Sequence, residues 1–517
     1  MEEKSNDDLN KSLLLLAKGS IIVFIGVFLS KILTYLYKVI VARNFGPENY
    51  GLFSLGTIIL TIFATFASLG LSEGLLRYVS LYNNHKDLKK IKPLLSFSIK
   101  FSFISSIVFT IIMFSSAELI SIKLFHNPLL ITYLQYFSLA LPLILFSNIF
   151  LSIIKANQQI FKYTFIINIL QNALRLIGIL LLVLIGLKSN AIIGSYIIGL
   201  IALIIGAYIG ARTYLKRISS QKELEAKERI GLTKDFISYS WPIIFVGFIG
   251  SVLYWIDSLV IGSLIDTASV GIYSSAFTIV SLLGIAPELF MQLFLPMILK
   301  EYSRGRIKII DQISKQVSKW IGLLNIPAFT LITIFPESVL LVLFGPQYIG
   351  AADSLRILAI GGFFSSFISL PTNLLSMKGK SKSILATLLI ASILNLFLSI
   401  WFVSKYGMIG AAIATSLVWI LTLMTYVIQA YIFTKIFPVR RKLIKIFLLS
   451  IIPTALLFYF YEYFSASISN FLLGVIIYLI LYLCIIIFNK CLDRNDYYLI
   501  KNLLSVVKSK KSKLFSK

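Results

Sequence analysis

Long apolar segments alternate with short polar ones along almost the whole chain. Each apolar segment approaches the roughly 20 residues that a helix needs to cross the hydrocarbon core of a bilayer. Continuous apolar runs favour helices over a transmembrane barrel, so we expect an all-α integral membrane protein. The pattern predicts fourteen spans, at 19–40, 51–71, 93–114, 129–152, 163–186, 191–211, 237–261, 269–296, 317–336, 354–376, 383–403, 408–433, 443–461 and 468–489.

Basic residues predict the orientation of these spans. With a cytoplasmic N-terminus, the outer loops hold only Arg43, Lys123, Lys188 and Lys405 of the 48 Lys and Arg. This asymmetry follows the positive-inside rule, so we expect a cell-membrane protein with both termini in the cytoplasm. The net charge of +26 then needs no nucleic acid, because the basic residues face anionic lipids of the cytoplasmic leaflet.

Composition and motifs narrow the class of protein. Hydrophobic residues make up 58% of the chain and charged residues 14%, and the mean hydropathy is +0.90. The sequence carries no phosphate-loop or nucleophile-elbow motif, which disfavours an ATP-driven pump or an enzyme. Cys484 and Cys491 are spaced too far apart on one helix for a disulfide, and His85 and His126 have no ligand-like neighbours. We therefore predict no metal site and no cofactor.

Three pairs of segments resemble each other in the same order along the chain. In the first pair Gly51 aligns with Gly271. The similarity predicts a duplicated six-helix unit, with the two copies related by an axis along the membrane normal. The pairs are VARNFGPENYGLFSLGTIIL (41–60) with IGSLIDTASVGIYSSAFTIV (261–280), LFHNPLLITYLQYFSLALP (124–142) with LFGPQYIGAADSLRILAIGG (343–362), and AIIGS (191–195) with GMIGA (407–411).

The repeat predicts two six-helix lobes of MATE/MOP-like architecture plus two C-terminal helices. In the connector, Glu223 with Lys227 and Glu225 with Arg229 are spaced for helical salt bridges, and a plain solvated linker is the open alternative. The expected divisions are an N-lobe with a cytoplasmic N-terminus (1–218), a cytoplasmic linker (219–235), a C-lobe (236–434), helices thirteen and fourteen (435–489) and a basic cytoplasmic tail (490–517).

Several polar side chains lie within the predicted spans. Lys31 and Lys38 share one face of the first span, and a cation there favours a cavity over lipid. For Lys38, near the outer boundary, reaching the lipid headgroups is an equal alternative. In the fifth span, Asn168, Asn172 and Arg175 form a stripe that points inward, towards a cavity or towards hydrogen bonds with another helix.

The charges within the spans suggest the substrate class. Arg356 is a further near-buried cation, and Asp257 and Glu288 are embedded acids that serve as counterions or carry a coupling H+ or Na+. The cations outnumber the acids, which favours an anionic substrate such as a phosphate or pyrophosphate. We expect Lys31 and Arg175 to face the cleft between the lobes and to bind the phosphate without being fully neutralised by either acid.

Three motifs carry a family resemblance. ARNFGPENYGLFSLG (42–56) and ASLGLSEGLLRYVS (67–80) resemble the N-terminal pattern of Wzx-type polysaccharide flippases of the MOP exporter superfamily, and LFGPQY (343–348) resembles the matching later loop. The resemblance implies two bundles around a cavity that opens alternately to either side. It implies transfer of a polyprenyl- or dolichyl-phosphate-linked oligosaccharide to the outer leaflet. Gly46, Pro47 and Gly51 are expected to shape the turn, and Arg43 to anchor among headgroups.

Two other functions stay open. A MATE-like cation-coupled antiporter would be favoured by an acidic cavity built on Asp257 and Glu288. A non-transporting membrane partner of a polysaccharide polymerase or ligase would be favoured by lobes that pack without a cleft. For the flippase, the expected partners are the lipid-linked oligosaccharide, membrane lipids and a complex with a glycan polymerase or glycosyltransferase.

Overall fold

The computed structural model describes residues 2–84, 87–187, 189–221, 223–438, 440–489 and 491. These ranges contain helices and no strand, which confirms the all-α prediction. The predicted basic tail, 490–517, lies outside the described residues except for Cys491. The helices are α1 Glu2–Ser68, α2 Leu71–Asn84, α3 Leu88–Glu118, α4 Leu129–Ser138, α5 Leu141–Ala156, α6 Ile160–Thr164, α7 Gln171–Leu184, α8 Asn190–Ser219, α9 Ala226–Leu264, α10 Thr267–Val280, α11 Ile285–Ser303, α12 Ile307–Ile334, α13 Pro336–Leu343, α14 Ala352–Ser365, α15 Ser369–Met377, α16 Ser381–Thr434, α17 Arg441–Tyr459, α18 Tyr461–Ser465 and α19 Ile468–Phe488.

Twelve helical stretches of the described chain are long and apolar enough to cross a membrane. Two of them, Gly26–Ser68 with 43 residues and Ser381–Thr434 with 54 residues, are far longer than one crossing needs. Each contains one glycine with a non-helical backbone, Gly46 with φ 77° and Gly407 with φ 59°. Positive φ values favour glycine because it has no Cβ. The predicted turn at Gly46 is confirmed, whereas Gly51, predicted to shape the same turn, has a helical backbone instead.

The connector between the halves of the chain differs from the predicted linker. α9 begins at Ala226, so the second part of that linker forms the first turns of a spanning helix. The predicted pairs within the connector do not form, because Glu223 precedes the helix. Its carboxylate lies 3.8 Å from the Lys92 ammonium of α3, and Glu228 lies 3.6 Å from Lys90. Ion pairs therefore tie the start of α9 to the start of α3.

The first half of the chain (26–221) meets the second half (223–434) where α1 crosses α10. A Cβ on Gly51 would lie 1.8 Å from the carbonyl oxygen of Thr267, and a Cβ on Gly271 would lie 1.9 Å from that of Pro47. The two backbones therefore touch directly, as at small-residue crossings of membrane helices. The contact is reciprocal, which is the pattern of a local two-fold axis. We call this contact the glycine crossing.

Further contacts join the halves beside the glycine crossing. The Asn127 amide donates to the Thr267 hydroxyl at 2.7 Å. Arg43 donates to the last carbonyl groups of α13, with 3.0 Å from its Nε to the oxygen of Leu343. Carbonyl groups at a helix C-terminus lack partners within the helix and favour a cation. The expected headgroup anchor is therefore a helix cap instead.

The halves also touch at the opposite end of the bundle. A Cβ on Gly70, just before α2, would lie 2.3 Å from the carbonyl oxygen of Ser240 in α9. A Cβ on Gly74 would lie 2.1 Å from the Ser240 hydroxyl. The start of α2 thus packs directly against α9 around Ser240. A cavity between the two halves, which we call the central cavity, lies between these two levels of contact.

The last helices pack on α12 in the second half. The Tyr482 hydroxyl of α19 donates to the carbonyl oxygen of Leu323 at 2.9 Å. The rings of Phe335 and Tyr461 stack with 5.2 Å between their centres. α17 to α19 therefore extend the second half, and the residues that line the central cavity all precede them in the chain.

Candidate functional site

A cavity of about 480 Å³ lies where α1 faces α9, α10 and α11. Its volume falls within the usual range for sites that bind small molecules. α1 contributes the cations Lys31 and Lys38 with Thr34 and Tyr35 between them. The wall from the second half is mainly aromatic and hydroxylated, with one carboxylate: Tyr254, Trp255, Phe277, Thr278, Ser281, Glu288, Ser365 and Trp419.

Lys31 forms an ion pair across this cavity. Its ammonium lies 2.9 Å from the Glu288 carboxylate of α11, and the two side chains are 43% and 40% exposed. Glu288 thus reaches Lys31 from the other half of the chain, and the expectation that neither acid fully neutralises Lys31 stays a prediction. The same contact gives Glu288 the counterion position expected of it. A half-exposed pair gains little net energy, so an anion in the cavity can compete for Lys31.

Lys38 lies deeper and has a neutral partner. Its ammonium donates to the Thr278 hydroxyl at 3.2 Å, and the Tyr50 hydroxyl lies 3.2 Å from the same oxygen. Within the described ranges, no carboxylate comes within 4.0 Å of Lys38. It lines the cavity rather than reaching for headgroups. Lys38 is therefore a cavity cation whose charge is not cancelled.

Arg175 occupies an aromatic cage inside the first half. Its guanidinium carbon lies 3.9 Å from the centre of the Tyr37 ring, 4.6 Å from Tyr196 and 5.4 Å from Phe53. Ring faces attract a cation without cancelling its charge. Its Nε has no hydrogen-bond partner among the described residues. Arg175 is not among the residues that line the central cavity, contrary to the expectation that it faces the cleft.

The two asparagines of the predicted stripe lie between α1 and the helix containing α7. The Asn172 amide donates to the Ser30 hydroxyl at 3.1 Å and accepts from the Thr34 hydroxyl at 3.2 Å. A Cβ on Gly26 would lie 3.8 Å from the Asn168 amide nitrogen. Hydrogen bonding between helices, the alternative left open for Asn172, is what the geometry shows. Asn172 still bears on the cavity, because it orients Thr34.

Arg356 lies away from the cavity, contrary to the prediction. Its guanidinium lies 3.2 Å from the Asp353 carboxylate and 3.4 Å from that of Glu337, and it donates to the carbonyl oxygen of Thr333 at 3.1 Å. One acid is a turn away on α14 and the other begins α13. These partners hold Arg356 among the helix ends of the second half.

Asp257 is buried inside the second half, with 1% of its surface exposed. It accepts hydrogen bonds from the Tyr273 hydroxyl at 2.5 Å, the Thr415 hydroxyl at 3.4 Å and the Ser258 backbone amide at 2.9 Å. No basic group of the described chain lies within 4.0 Å of it. The counterion role expected for Asp257 is wrong, because hydroxyl and amide donors surround it instead of a lysine.

Sequence reasoning missed the wall of the cavity that the second half supplies. Aromatic residues such as Tyr254, Trp255 and Trp419 occur in most spans, so composition does not single them out. Thr278, the partner of Lys38, had one usable signal. In the predicted repeat it aligns with Ile58, so the aligned positions differ by a hydroxyl in place of an apolar side chain.

Two family models match the chain. The model described as "Polysaccharide biosynthesis protein" matches residues 16–300, and the MatE model matches residues 242–401. The chain belongs to the polysaccharide biosynthesis protein family. The resemblance to Wzx-type flippases of the MOP superfamily is thereby confirmed.

Individual relatives agree with the family. A "Putative O-antigen transporter" from Shigella flexneri is 22% identical over 386 residues, which cover 73% of this chain and 88% of the relative. A "Probable low-salt glycan biosynthesis flippase Agl15" from Haloferax volcanii is 25% identical over 410 residues, which cover 78% and 80%. A solved structure titled "Lipid II flippase MurJ, inward closed conformation" superposes with a TM-score of 0.71 at 20% identity, over 91% of this chain and 99% of that one. The chain described here therefore has the same fold as that solved structure.

Proposed function

We propose that the protein is a flippase that moves a polyprenyl- or dolichyl-(pyro)phosphate-linked oligosaccharide across the cell membrane by alternating access. The observation that carries the proposal is a cavity between the halves of a polysaccharide biosynthesis family member, with Lys31 and Lys38 facing the single carboxylate of Glu288. The names of the O-antigen transporter and the glycan flippase support the substrate class.

The proposed architecture has fourteen spans in two six-helix lobes and two C-terminal helices. The breaks at Gly46 and Gly407 support it, because each divides one of the twelve long helical stretches into two crossings. The reciprocal contact of Gly51 with Gly271 supports a two-fold relation between the lobes. With fourteen crossings both termini lie on one side, and the positive-inside rule puts that side in the cytoplasm.

In the proposed mechanism Lys38 and Lys31 bind the substrate phosphate. Lys38 has no acidic partner in the described chain, and Lys31 becomes available when the incoming phosphate displaces Glu288. Charge-assisted hydrogen bonds to phosphate are stronger than neutral ones. The sugar passes through the hydrated cavity because hydrocarbon offers its hydroxyls no partners, while the isoprenoid tail stays in the bilayer.

Arg175 acts at a distance in this proposal. Its cage separates it from the cavity, but its charge and that of Lys31 both repel the charge of Lys38. Three cations close together make the region attractive to an anion before any contact forms. A bound phosphate would relieve their mutual repulsion.

The buried carboxylate of Asp257 is proposed as the site where H+ or Na+ coupling acts. Its partners are hydroxyl and amide donors, and its oxygens lack a permanent cation among the described residues. Oxygen ligands of this kind suit a proton or a small hard cation. Binding there would bear on α9, α10 and α16, which all contribute to the Asp257 environment.

A MATE-like antiporter remains the second candidate, because the MatE model matches residues 242–401 and that segment contains Asp257 and Glu288. The two functions make opposite demands on the cavity. A cation antiporter would depend on Glu288 and tolerate loss of Lys38. The flippase would depend on Lys38.

The test uses the purified protein in liposomes that carry a polyprenyl-pyrophosphate-linked oligosaccharide in one leaflet. An impermeant lectin measures the sugar that reaches the other leaflet. Lys38→Ala removes one charge-assisted contact of about 1.5 to 3 kcal/mol, so we expect transport to slow by roughly 10- to 150-fold. Lys155→Ala, an exposed lysine outside the cavity, is the matched control and should transport normally.

Two results would contradict the proposal. Unchanged transport in the Lys31→Ala/Lys38→Ala double variant would show that these lysines do not form the phosphate site. Export of a cationic dye that requires Glu288, without oligosaccharide transport, would establish the antiporter instead. Size-exclusion profiles of each variant separate lost transport from lost folding.

A further inference from the structure

A groove of about 780 Å³, larger than the central cavity, lies between the starts of α3 and α9. It shares no lining residue with the central cavity. One wall belongs to the first half of the chain and the other to the second half. Neither the family assignment nor the proposed transport gives this α3–α9 groove a role.

The groove is basic at its mouth. Lys92 and Lys100 of α3 face Arg229 and Lys234 of α9, and Glu223 is the one acid in the lining. Glu223 already pairs with Lys92 at 3.8 Å. Among the described residues, no carboxylate lies within 4.0 Å of Lys100, Arg229 or Lys234. Three of the four cations are thus left for a ligand.

Deeper in, the same two helices present apolar side chains. α3 and α9 both begin at this end, so later residues on each lie further along the bundle. The inner lining includes Phe101 and Ile104 on α3 with Ile237 and Trp241 on α9. Ile104 and Trp241 are exposed in the structure, so this wall lacks a protein partner within the described chain. A cluster of positive charge therefore lies above an apolar cleft.

We propose that the α3–α9 groove binds one anionic phospholipid of the surrounding membrane. Charge complementarity selects the headgroup, because unpaired cations beside a membrane attract anionic lipids and Lys and Arg bind phosphate. The apolar inner wall accommodates the acyl chains. The positive-inside rule assigns this end of the bundle to the cytoplasmic leaflet.

The position of the groove gives the bound lipid a consequence. Its headgroup contacts Lys100 from one half and Arg229 and Lys234 from the other, so it bridges the two halves. Any movement that separates α3 from α9 would have to break these contacts. The anionic lipid therefore stabilises the arrangement in which the two helix starts lie close together, whatever the central cavity carries.

The test titrates the full-length protein in detergent with phosphatidylglycerol or zwitterionic phosphatidylcholine and counts bound lipid by native mass spectrometry. The wild type should retain one phosphatidylglycerol in preference to phosphatidylcholine. Lys100→Ala/Lys234→Ala should weaken that retention roughly tenfold or more, because it removes two cations from the mouth. Lys162→Ala/Lys382→Ala is the matched control, since it removes two exposed lysines elsewhere at the same predicted end and should change nothing.

Three outcomes would overturn the proposal. Equal phosphatidylglycerol retention by both double variants would show that the groove is not the site. Binding of soluble glycerol phosphate as strong as that of phosphatidylglycerol would indicate a free-anion site. Displacement of the bound phosphatidylglycerol by less than one equivalent of polyprenyl phosphate would indicate a substrate site. The milder Lys100→Gln/Lys234→Gln variant, with a lipid-free unfolding midpoint matching the wild type, guards against loss of folding.

Discussion

The two halves of the chain meet through reciprocal contacts but enclose different charged groups beside them. At the glycine crossing, Gly51 meets Thr267 while Gly271 meets Pro47, and each contact repeats the other with the halves exchanged. Away from it, the first half holds Arg175 in an aromatic cage, and the second half buries the acid Asp257 and, on another helix, Lys319. The crossing is therefore the same seen from either half, while the charged groups beside it differ.

The surroundings of these two groups differ in kind as well as in sign. The guanidinium of Arg175 faces three aromatic rings, whereas the carboxylate of Asp257 accepts from two hydroxyls and a backbone amide. Each environment stabilises a charge without supplying an opposite one. An unneutralised cation in one half suits an anionic substrate, and an unneutralised acid in the other suits a coupling cation. The two halves thus favour different tasks.

The largest expected effect comes from breaking the feature that the halves share. Gly51→Ala and Gly271→Ala each place a methyl group within 2 Å of a carbonyl oxygen, which forces the helices apart. We expect each to lower the free energy of unfolding by about 1 to 3 kcal/mol and to reduce transport sharply. Thermal unfolding in detergent would measure it, with Gly250→Ala, which meets no atom within 4 Å, as control. A large effect at only one of the glycines would contradict the reciprocal crossing.

Two substitutions of Asp257 should distinguish its contribution to stability from its proposed role in ion coupling. Asp257→Asn keeps an acceptor for the Tyr273 hydroxyl but removes the charge. We expect near-normal expression, together with transport that no longer responds to a proton or sodium gradient. Asp257→Ala leaves two hydroxyls and an amide without their acceptor, so it should cost about 1 to 3 kcal/mol of stability as well. Normal gradient dependence in Asp257→Asn would exclude the coupling role.

The cation of the first half gives a matching test. Arg175→Gln removes the cation from its aromatic cage, at a cost of about 2 kcal/mol for a desolvated cation–π contact. Arg175→Lys keeps the charge, so it should recover the apparent substrate affinity more fully than the stability. The measurements are thermal unfolding and the substrate dependence of transport. If Arg175→Lys and Arg175→Gln lowered the affinity equally, the long-range role of the charge would be wrong.

The sequence predicted the scaffold better than the site. Hydrophobic runs are set by the bilayer, so they gave the all-α membrane fold, and glycine at Gly46 gave the break. Pairings across the cavity depend on which faces of distant helices meet, and neither spacing nor composition encodes that. For this reason the sequence places Lys31 on the correct face and indicates a counterion role for Glu288, but it does not show that the two pair with each other. The sequence places Arg356 in the cavity because it shows a cation within an apolar run. It does not show that Glu337, at the start of a neighbouring helix, and Asp353 both pair with this cation.

The ion pair that joins the halves should have a smaller effect than either buried charge. Lys31 and Glu288 are about two-fifths exposed, so we expect a coupling energy of only about 0.2 to 1 kcal/mol. A double-mutant cycle with Lys31→Met and Glu288→Gln measures it by thermal unfolding. Glu288→Gln should also raise the affinity for phosphate-bearing substrate, because Lys31 loses its competitor. A lower affinity would indicate that Glu288 supports binding rather than competing with it.

The smallest effect on stability and transport is expected from a substitution at Arg356. The halves differ at this position, but we expect the difference to leave transport unchanged. In the repeat it aligns with Phe137, which is fully buried in the first half, whereas Arg356 lies 40% exposed beside Asp353 and Glu337. Exposed ion pairs contribute little because water and salt screen them, so Arg356→Gln should change the free energy of unfolding by no more than about 0.5 kcal/mol.

Transport by Arg356→Gln should equal that of the wild type, since the side chain does not line the cavity. The lectin assay and thermal unfolding test both statements on the same preparation. Arg356→Lys serves as the control, because it keeps one charge near the two acids while losing the planar fork. If Arg356→Gln slowed transport as strongly as Lys38→Ala while remaining folded, Arg356 would have to reach the substrate in another conformation. The contrast between the caged cation Arg175 in the first half and the buried acid Asp257 in the second half would then no longer describe how the substrate is bound.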